Sequence, residues 1–246
     1  MNVMIFAAGL GTRLKPLTDT MPKALVPVGG KPLLRHVVEK IKSDFGLNDL
    51  TIERADNQIV VNVHHFAQQI KDYLKENNNF GLNIAISDES EQLLETGGGI
   101  KKAAPLFKSD NPILIHNVDI LSNVDLAKFY EQGRGNDATL LVSKRESSRY
   151  LVFDDDDNLI GWKNVKTGEV RGNVDGRCFA FSGIHTFSPN LFQYFDEFPK
   201  RFGIIDFYIY ICTRARIKCV VKEDLRLLDV GKLDSLATAE TFIEHC

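Results

Sequence analysis

The chain lacks the features that mark several large classes of protein. Its 246 residues contain no apolar run of membrane-spanning length, and the N-terminus enters a hydrophobic segment directly, without a charged leader and cleavage site. The four cysteines are scattered without Cys-x-x-Cys spacing, and the six histidines form no ligand constellation. The net charge of −3 does not indicate a surface for nucleic acid. We therefore expect a reduced, cytoplasmic protein that binds neither a membrane nor nucleic acid.

Short apolar runs alternate with amphipathic segments in the first part of the chain. The apolar runs predict strands at residues 3–8, 58–63, 82–87, 113–117 and 138–143. Helical periodicity predicts helices at residues 32–45, 65–74, 99–107 and 124–132. This alternation is typical of an α/β protein with a doubly wound, mostly parallel sheet that is covered on both faces.

From Arg149 onward the pattern changes. Residues 151–153 and 159–163 predict a hairpin, residues 178–187 and 217–222 predict strands, and residues 189–195 and 232–245 predict helices. No linker or repeat divides the chain, so we expect one domain over residues 1–246. Within it we expect a lobe at about 1–148, a smaller mixed β lobe at about 149–231 that closes a cleft, and a terminal helix at 232–246.

The loop of residues 8–14, called the glycine loop here, follows the first predicted strand. Its glycines, Gly9 and Gly11, let backbone N–H groups approach a polyphosphate, and Arg13 and Lys23 supply positive charge nearby. An open parallel sheet binds ligands beyond the carboxyl ends of its strands, which is where this loop would lie. The loop therefore indicates nucleotide chemistry.

Two common glycine motifs do not fit this loop. A dinucleotide fingerprint requires glycine at Leu14, and a Walker loop requires Ser or Thr where Pro32 follows a Gly-Lys pair. The residues from Gly9 to Leu33 follow Gly-x-Gly-Thr-Arg-Leu-x-Pro-Leu-Thr, then Pro-Lys-x-Leu-Val-Pro-Val, then Lys-Pro-Leu. This pattern resembles the sugar-1-phosphate nucleotidyltransferase family. The resemblance implies the Rossmann-like, nucleotide-diphospho-sugar transferase fold, with the first lobe binding the nucleotide and the second the sugar phosphate.

A second glycine segment, Leu94–Ile100, resembles the Glu-Thr-Ala-Gly-Gly segment of this family, which lies against the base and sugar. Bare glycine backbone would let a base and a ribose lie flat there. Taken alone, the segment also fits a simple glycine-rich helix start. The resemblance implies catalytic roles for Arg13 and Lys23, and nucleotide binding by Ala8, Gly9, Leu10, Gly11, Thr12, Glu95, Thr96, Gly97 and Gly98.

Two acids are candidates for a metal site. Asp119 ends an apolar strand and resembles the family's Asn-Gly-Asp strand end, which holds Mg²⁺, although Val118 stands where glycine is usual. Asp229 resembles the acid of the family's Asp-Val-Gly-Thr-Pro segment, although Lys232 replaces the threonine. The resemblance implies Mg²⁺ as cofactor on these two carboxylates. A turn acid remains an alternative for each, and Asp125 is the better candidate for a helix N-cap.

The residues that contact the sugar phosphate are less clearly marked. Lys163 stands about where the family has a lysine that meets the sugar phosphate, but a solvated lysine fits as well. Ser182 and Gly183 belong to a strand that resembles the one lying against the hexose, and Asp206 follows in a segment near the sugar. Asn62, at the end of a predicted strand, fits either the pocket floor or the satisfaction of buried backbone groups.

The resemblance implies that a sugar-1-phosphate oxygen attacks the α-phosphorus of a nucleoside triphosphate and releases pyrophosphate. The short chain and the Leu94–Gly99 segment look most similar to members that use UTP and N-acetylmuramate-1-phosphate. The alternatives are mannose-1-phosphate guanylyl transfer, glucose-1-phosphate thymidylyl or uridylyl transfer, a phosphocholine cytidylyltransferase, and a non-catalytic nucleotide-sugar-binding regulator. The implied partners are the nucleoside triphosphate and the sugar-1-phosphate. The residues do not decide between a monomer and a dimer.

Overall fold

A computed structural model describes residues 1–47 and 57–244, so the predicted end of the last helix at His245 lies outside the described residues. The strands are β1 Asn2–Phe6, β2 Pro27–Val28, β3 Lys31–Pro32, β4 Gln58–Val63, β5 Ile84–Asp88, β6 Ile113–Asn117, β7 Ile120–Ser122, β8 Ala138–Ser143, β9 Arg149–Phe153, β10 Leu159–Asn164, β11 Val170–Gly172, β12 Arg177–Phe187, β13 Ile217–Val221 and β14 Leu227–Asp229.

The α-helices are α1 Leu33–Asp44, α2 Ala67–Glu76, α3 Glu95–Ala103, α4 Leu126–Gln132, α5 Ile204–Ile211 and α6 Leu233–Glu244. Short 3₁₀ helices span Thr12–Leu14, Leu17–Asp19, Lys23–Leu25, Asn78–Gly81, Ala104–Leu106 and Pro189–Glu197. Within residues 1–47 and 57–244, no helix has both the length and the apolar composition needed to cross a membrane.

One large sheet runs through the molecule in the order β11-β10-β9-β12-β6-β1-β4-β5, and β8 pairs with β12 and β13. The pairs β1–β4, β1–β6, β4–β5 and β8–β13 are parallel. β12 runs antiparallel to β6, β8 and β9, and the β9–β10–β11 meander continues from it. The predicted doubly wound, mostly parallel sheet is confirmed, while the lobe boundaries stay a prediction because both proposed lobes share this sheet.

Both faces of the sheet are buried, which explains the nearly continuous apolar runs of its strands. Along β1, Val3 and Ile5 pack into the core on the face of α1, α2 and α4. Met4 points the other way, into a second core with α3 and α5. Helix α1 buries an apolar stripe at helical spacing, and Asp125 caps α4 by accepting a hydrogen bond from the Lys128 N–H at 2.8 Å. The sheet thus fixes the carboxyl ends of β1, β4 and β6 side by side.

A separate two-stranded ladder lies at this edge of the sheet. β7 and β14 pair antiparallel, with Asp229 opposite Ile120, and the Val230 N–H donates to the Asp119 carbonyl at 2.8 Å. Neither three-residue strand was predicted. The ladder brings Asp229, which lies more than a hundred residues further along the chain, beside Asp119.

We expect the stability of the protein to fall as the pH drops below about 6.5, because of a buried histidine. His185 lies in β12 with Nδ1 2.7 Å from the Tyr208 hydroxyl, and burial lowers its pKa from 6.5 to about 3. The unfolded chain therefore binds a proton between these pH values that the folded chain does not, at a cost of about 1.4 kcal/mol per pH unit. Above pH 6.5 this contribution is constant.

Urea unfolding at a series of pH values checks this expectation. His185→Gln removes the titration, so its free energy of unfolding should decline less steeply than that of the wild type between pH 6.5 and 4. His116, whose pKa burial lowers to about 4, remains in both proteins and gives both a residual slope. Parallel curves for the two proteins would show that His185 does not stay neutral in the folded state.

Candidate active site

A cavity of about 400 Å³ opens at the carboxyl ends of β1, β4 and β6. This is the edge at which open α/β sheets bind ligands. Backbone and side chains of several elements line it: Phe6, Ala7, Ala8, Gly9, Lys23, Asn62, Glu89, Leu93, Glu95, Thr96, Asn117, Val118 and Asp119. The cavity therefore brings together part of the glycine loop, one predicted cation, one predicted acid and the start of α3.

The glycine loop forms one rim of the cavity. Gly11 has a φ of 64°, and its carbonyl accepts hydrogen bonds from the Leu14 N–H and the Thr18 hydroxyl, both at 2.8 Å. A β-carbon at Gly11 would lie 2.8 Å from the Thr18 methyl group. Within the described chain, no hydrogen bond uses the N–H groups of residues 9–12, so these donors are available to an anion.

Only Ala8 and Gly9 of the predicted loop residues line the cavity itself. Leu10, Gly11 and Thr12 are not among the lining residues, and Leu10 is 42% exposed. The prediction that all five bind a nucleotide stays a prediction. The unused N–H groups of residues 9–12 fit a polyphosphate better than a base, since a base needs a walled pocket.

Lys23 lies inside the cavity wall, only 8% exposed, and its ammonium group pairs with the Asp119 carboxylate. The short 3₁₀ helix Lys23–Leu25 carries the lysine, and the aspartate follows the end of β6. The pair places one positive and one negative group of the predicted centre in direct contact. Each therefore lowers the cost of keeping the other charged in a partly buried position.

Asp229 and Arg13 complete this cluster from the opposite side. A β-carbon at Gly231 would lie 2.6 Å from Asp229 Oδ1 and 2.8 Å from Arg13 Nη2, so the carboxylate and the guanidinium both border this glycine. Asp229 keeps an exposed face, yet the cleft walls desolvate its carboxyl group, and this desolvation and the charge of Asp119 raise its pKa. Lys23 and Arg13 act in the opposite direction. The structure thus brings the two predicted acids and the two predicted cations into one electrostatic unit.

Glu95 and Thr96 line the cavity, but each also has a structural partner. Glu95 has a φ of 62° and its carboxylate accepts from Arg201 at 2.8 Å. The Thr96 hydroxyl accepts from the Ile204 N–H at 2.9 Å, which ties the start of α3 to α5. The two side chains therefore connect the cavity wall to the segment of residues 201–204.

The glycines at 97–99 pack closely against other parts of the chain. The N–H groups of Gly97 and Gly98 donate to the Phe202 carbonyl at 2.9 and 3.2 Å, and neither residue lines the cavity. β-Carbons there would lie 2.2 Å from the Phe202 ring and 2.3 Å from the Lys200 carbonyl. Protein atoms therefore fill the space that side chains at Gly97 and Gly98 would need, and nucleotide binding by these two glycines stays a prediction.

We expect Gly98→Ala to lower the free energy of unfolding by about 1–3 kcal/mol, because the added methyl group meets a backbone carbonyl that cannot rotate away. Urea unfolding measures the effect. Gly9→Ala is the matched control, since no atom lies within 4 Å of a β-carbon there, and its stability should stay at the wild-type value. Equal stability of all three proteins would contradict the packing role.

The four predicted sugar-phosphate residues do not line the cavity. Ser182 is 2% exposed and its hydroxyl accepts from the Ile184 N–H, so it is engaged within a bulge of β12. Gly183, with a φ of 80°, packs against the Asn117 side chain and so supports a cavity wall. Lys163 lies half-buried in β10. The cavity does not bring the four together.

Asp206 belongs to a polar cluster on the outer side of this region. Its carboxylate pairs with Arg171, whose guanidinium lies 4.7 Å from the centre of the Trp162 ring. A β-carbon at Gly203 would lie 3.0 Å from Asp206 and 4.0 Å from Glu95, so Asp206 lies near the cavity rim. Its predicted role in sugar binding stays a prediction.

Glu89 is a cavity residue that the sequence did not reveal. It follows β5 within the acidic stretch Asp88–Glu91, which is typical of a solvated loop. In the structure it is fully buried, and burial raises its pKa. It accepts a hydrogen bond from the Asn62 amide at 2.7 Å, and Asn62 serves both alternatives considered for it, since it lines the cavity and satisfies buried backbone groups.

Comparison with known proteins assigns the chain to a family. The family model for nucleotidyl transferases matches residues 2–245. A relative from Caulobacter vibrioides named N-acetylmuramate alpha-1-phosphate uridylyltransferase is 33% identical over 250 residues, covering 96% of this chain and 94% of its own length. A mannose-1-phosphate guanyltransferase from Neurospora crassa is 37% identical over 158 residues, covering 62% of this chain and 40% of its own.

Solved structures share the fold at lower identity. A putative glucose-1-phosphate thymidylyltransferase from Bacillus anthracis superposes with a TM-score of 0.79 at 18% identity, covering 100% of this chain and 96% of that chain. Three observations agree on the family: the fold, the glycine loop, and the family model that matches nearly the whole length of the chain. The homologues of this chain are named as sugar-1-phosphate nucleotidyltransferases, and the chain belongs to the nucleotidyl transferase family.

Proposed function

We propose that this protein catalyses Mg²⁺-dependent transfer of a uridylyl group from UTP to N-acetylmuramate-1-phosphate. A phosphate oxygen of the sugar-1-phosphate attacks the α-phosphorus of UTP, and a new P–O bond forms. The bond between the α-phosphorus and the oxygen leading to the β-phosphorus breaks on the opposite side. The products are UDP-N-acetylmuramate and pyrophosphate, and no covalent enzyme intermediate is required.

One observation carries this proposal: Lys23, Arg13, Asp119 and Asp229 meet at the mouth of a cavity whose rim has unused N–H groups. Both substrates are anions, so they must be held together against their repulsion. Fixed cations and backbone donors at one edge of the sheet suit that task, because they stabilise charge that grows on the departing pyrophosphate.

The two carboxylates fit a magnesium ion. Within residues 1–47 and 57–244, no group of three or more His, Cys, Asp or Glu side chains could hold a metal, so a site formed by protein side chains alone is not expected there. Mg²⁺ is typically held by one or two carboxylates, with water and substrate phosphates as its other ligands. Desolvation and the charge of Asp119 raise the pKa of Asp229, and the two like charges favour a bound cation. When bound, the ion supplies Lewis-acid stabilisation of the phosphates.

The chain's own groups then have separate tasks. Arg13, which is exposed at the cleft edge, and Lys23, in the cavity wall, hold the phosphates of UTP and stabilise the leaving pyrophosphate. The unused N–H groups of residues 9–12 orient the same phosphates. Glu95 and Thr96 border the nucleoside, and the proposed contacts of the sugar-phosphate side remain Lys163, Ser182, Gly183 and Asp206.

The relatives favour the choice of substrates. This chain spans 94% of the Caulobacter uridylyltransferase but only 40% of the Neurospora guanyltransferase. We therefore propose UTP and N-acetylmuramate-1-phosphate as the substrates. We also propose a cytoplasmic location, because nucleoside triphosphates are available there. No nucleic acid or membrane takes part in the proposed reaction.

The test is pyrophosphate release with Mg²⁺ across a grid of substrates. UTP, GTP, dTTP, CTP and ATP are each combined with N-acetylmuramate-, mannose-, glucose- and N-acetylglucosamine-1-phosphate and with phosphocholine. UTP with N-acetylmuramate-1-phosphate should give the highest kcat/KM. A different preferred pair would overturn the substrate assignment. If no substrate pair gave pyrophosphate release but a nucleotide sugar bound tightly, the result would indicate a regulatory binding protein instead.

A further inference from the structure

Asn62 and Glu89 form a buried hydrogen-bonded pair beneath the glycine loop. Asn62 lies in β4 and is 2% exposed, and Glu89 follows the neighbouring strand β5 and is fully buried. The Asn62 Nδ2 group donates to Glu89 Oε1 at 2.7 Å. Both residues line the cavity, and neither has a role in the reaction proposed above.

The pair extends to the two segments that form opposite walls of the cavity. Asn62 Oδ1 accepts from the Ala7 N–H at 2.7 Å and from the Ala8 N–H at 3.3 Å, where β1 becomes the glycine loop. Glu89 Oε2 accepts from the Leu94 N–H at 3.0 Å, directly before α3. A continuous series of hydrogen bonds therefore joins the start of the loop to the start of the helix.

The polarity of this series is fixed by the backbone at both ends. The N–H groups of Ala7 and Leu94 can only donate, so an acceptor must face each of them. The carboxylate accepts at both oxygens, and the amide accepts on one side and donates on the other. A β-carbon at Gly99 would lie 2.9 Å from Glu89 Oε1, so the pair packs directly against the backbone of α3 at this glycine.

We propose that Asn62 and Glu89 are positioning residues that set the geometry of the glycine loop for the triphosphate. Because Asn62 occupies the N–H groups of Ala7 and Ala8, the free donors begin at Gly9 and are held at a fixed place and angle. Misplacement of a substrate-binding group by about 1 Å can cost about 10²-fold in rate. The inference rests on the proposed function, in that the triphosphate is the ligand of the loop.

Two isosteric substitutions each disrupt the hydrogen-bond pattern of the pair, and together they invert which residue carries the carboxylate. In Glu89→Gln, the side-chain amide at position 89 faces two N–H donors, those of Asn62 and Leu94. Its NH₂ group must then face one of these donors, and that hydrogen bond is lost. In Asn62→Asp, two carboxylates face each other. The double variant N62D/E89Q restores every hydrogen bond, because the carboxylate then at position 62 accepts from the loop and from the amide at position 89, whose oxygen accepts from Leu94. The charge and volume of the pair then equal those of the wild type.

The experiment compares these four proteins by kcat and KM for UTP, by calorimetric binding of UTP and inorganic triphosphate, and by urea unfolding. Each single variant should lose about 10²-fold in kcat/KM, and the double variant should recover most of the loss. Binding of inorganic triphosphate, which has no base, should weaken and recover in parallel. Gln58→Glu, at the other end of β4, should lose stability but keep its kcat/KM, since its partner Asn83 is remote from the cavity.

Three results would overturn the proposal. Single variants that lose stability but keep wild-type kcat/KM would show a purely structural pair. A double variant no better than the single variants would show that the hydrogen-bond pattern is not what matters. Weaker binding of UTP with unchanged binding of inorganic triphosphate would place Glu89 against the base. If the wild type turns over no substrate pair, the proposed function fails, while triphosphate binding by the four proteins still decides this inference.

Discussion

Replacing Asp229 by asparagine is expected to lower kcat by about 10³-fold and to leave the protein at least as stable as the wild type. The loss of activity follows because one of the two carboxylates proposed to hold Mg²⁺ becomes neutral. The stability follows from the sign of the pKa shift. Desolvation and Asp119 raise the pKa of Asp229, so its ionised form is unfavourable in the folded protein at neutral pH, and asparagine removes that cost.

Steady-state kinetics and urea unfolding, measured together, check this combination. Asp119→Asn should lose activity to a similar extent but also lose stability, because the buried Lys23 ammonium then has no ionised partner in contact. Asp156→Asn, in an exposed turn that does not line the cavity, is the control and should match the wild type in both measurements. Wild-type turnover in Asp229→Asn would exclude a metal role for this residue.

Arg13→Ala is expected to lower kcat by about 10²–10³-fold with little change in stability. The guanidinium lies beside Asp229 and Gly231 at the cavity mouth, and it belongs to no ion pair among the described residues. It is therefore free to bind the phosphates that separate in the reaction. Since the side chain is exposed, truncating it removes little packing.

Kinetics of Arg13→Ala and Arg13→Lys beside the wild type measure this effect. Lysine keeps the charge but not the paired donors, so it should recover only part of the rate. Lys15→Ala is the control, because Lys15 lies on the same stretch of chain but its side chain is 61% exposed and pairs with Asp19. If Arg13→Ala kept the wild-type rate, the assignment of Arg13 as a catalytic residue would be wrong.

The sequence predicts those parts of the fold that depend on local pattern. Strands β4, β6 and β8 have the predicted bounds, because runs of buried apolar residues between polar loops have a clear beginning and end. The Asp125 cap is predictable for the same reason, since a cap precedes a helical pattern directly. The glycine loop lies where its position after the first strand predicts, because its chemistry is contained in one continuous segment.

Features that depend on long-range contacts were not predicted. β7 and β14 are three residues each, too short to show a periodicity, and only their pairing brings Asp229 to Asp119. The segment Ile204–Ile211 is apolar on most sides, which gives little amphipathic signal for α5. Glu89 lies in an acidic stretch that resembles a solvated loop, and its burial depends on hydrogen bonds from Asn62 and Leu94.

Glycine is the residue whose purpose the sequence specifies least. The segment Gly97–Gly99 suggests a surface for a flat ligand, yet Phe202, Lys200 and the Asn62–Glu89 pair occupy the space left by the missing side chains. A glycine that allows close approach of a ligand and a glycine that allows close packing of another part of the chain look the same in a sequence. Contacts in the folded protein distinguish the two cases.

The dependence of pyrophosphate release on free Mg²⁺ tests the central claim most directly. Wild-type protein and Asp229→Asn are assayed with UTP and N-acetylmuramate-1-phosphate, from excess EDTA to saturating Mg²⁺. We expect no turnover of the wild type in EDTA, a rate that rises to a plateau with Mg²⁺, and a rate in Asp229→Asn that stays low throughout. Equal wild-type rates with and without the metal, or the same Mg²⁺ dependence in both proteins, would contradict the account.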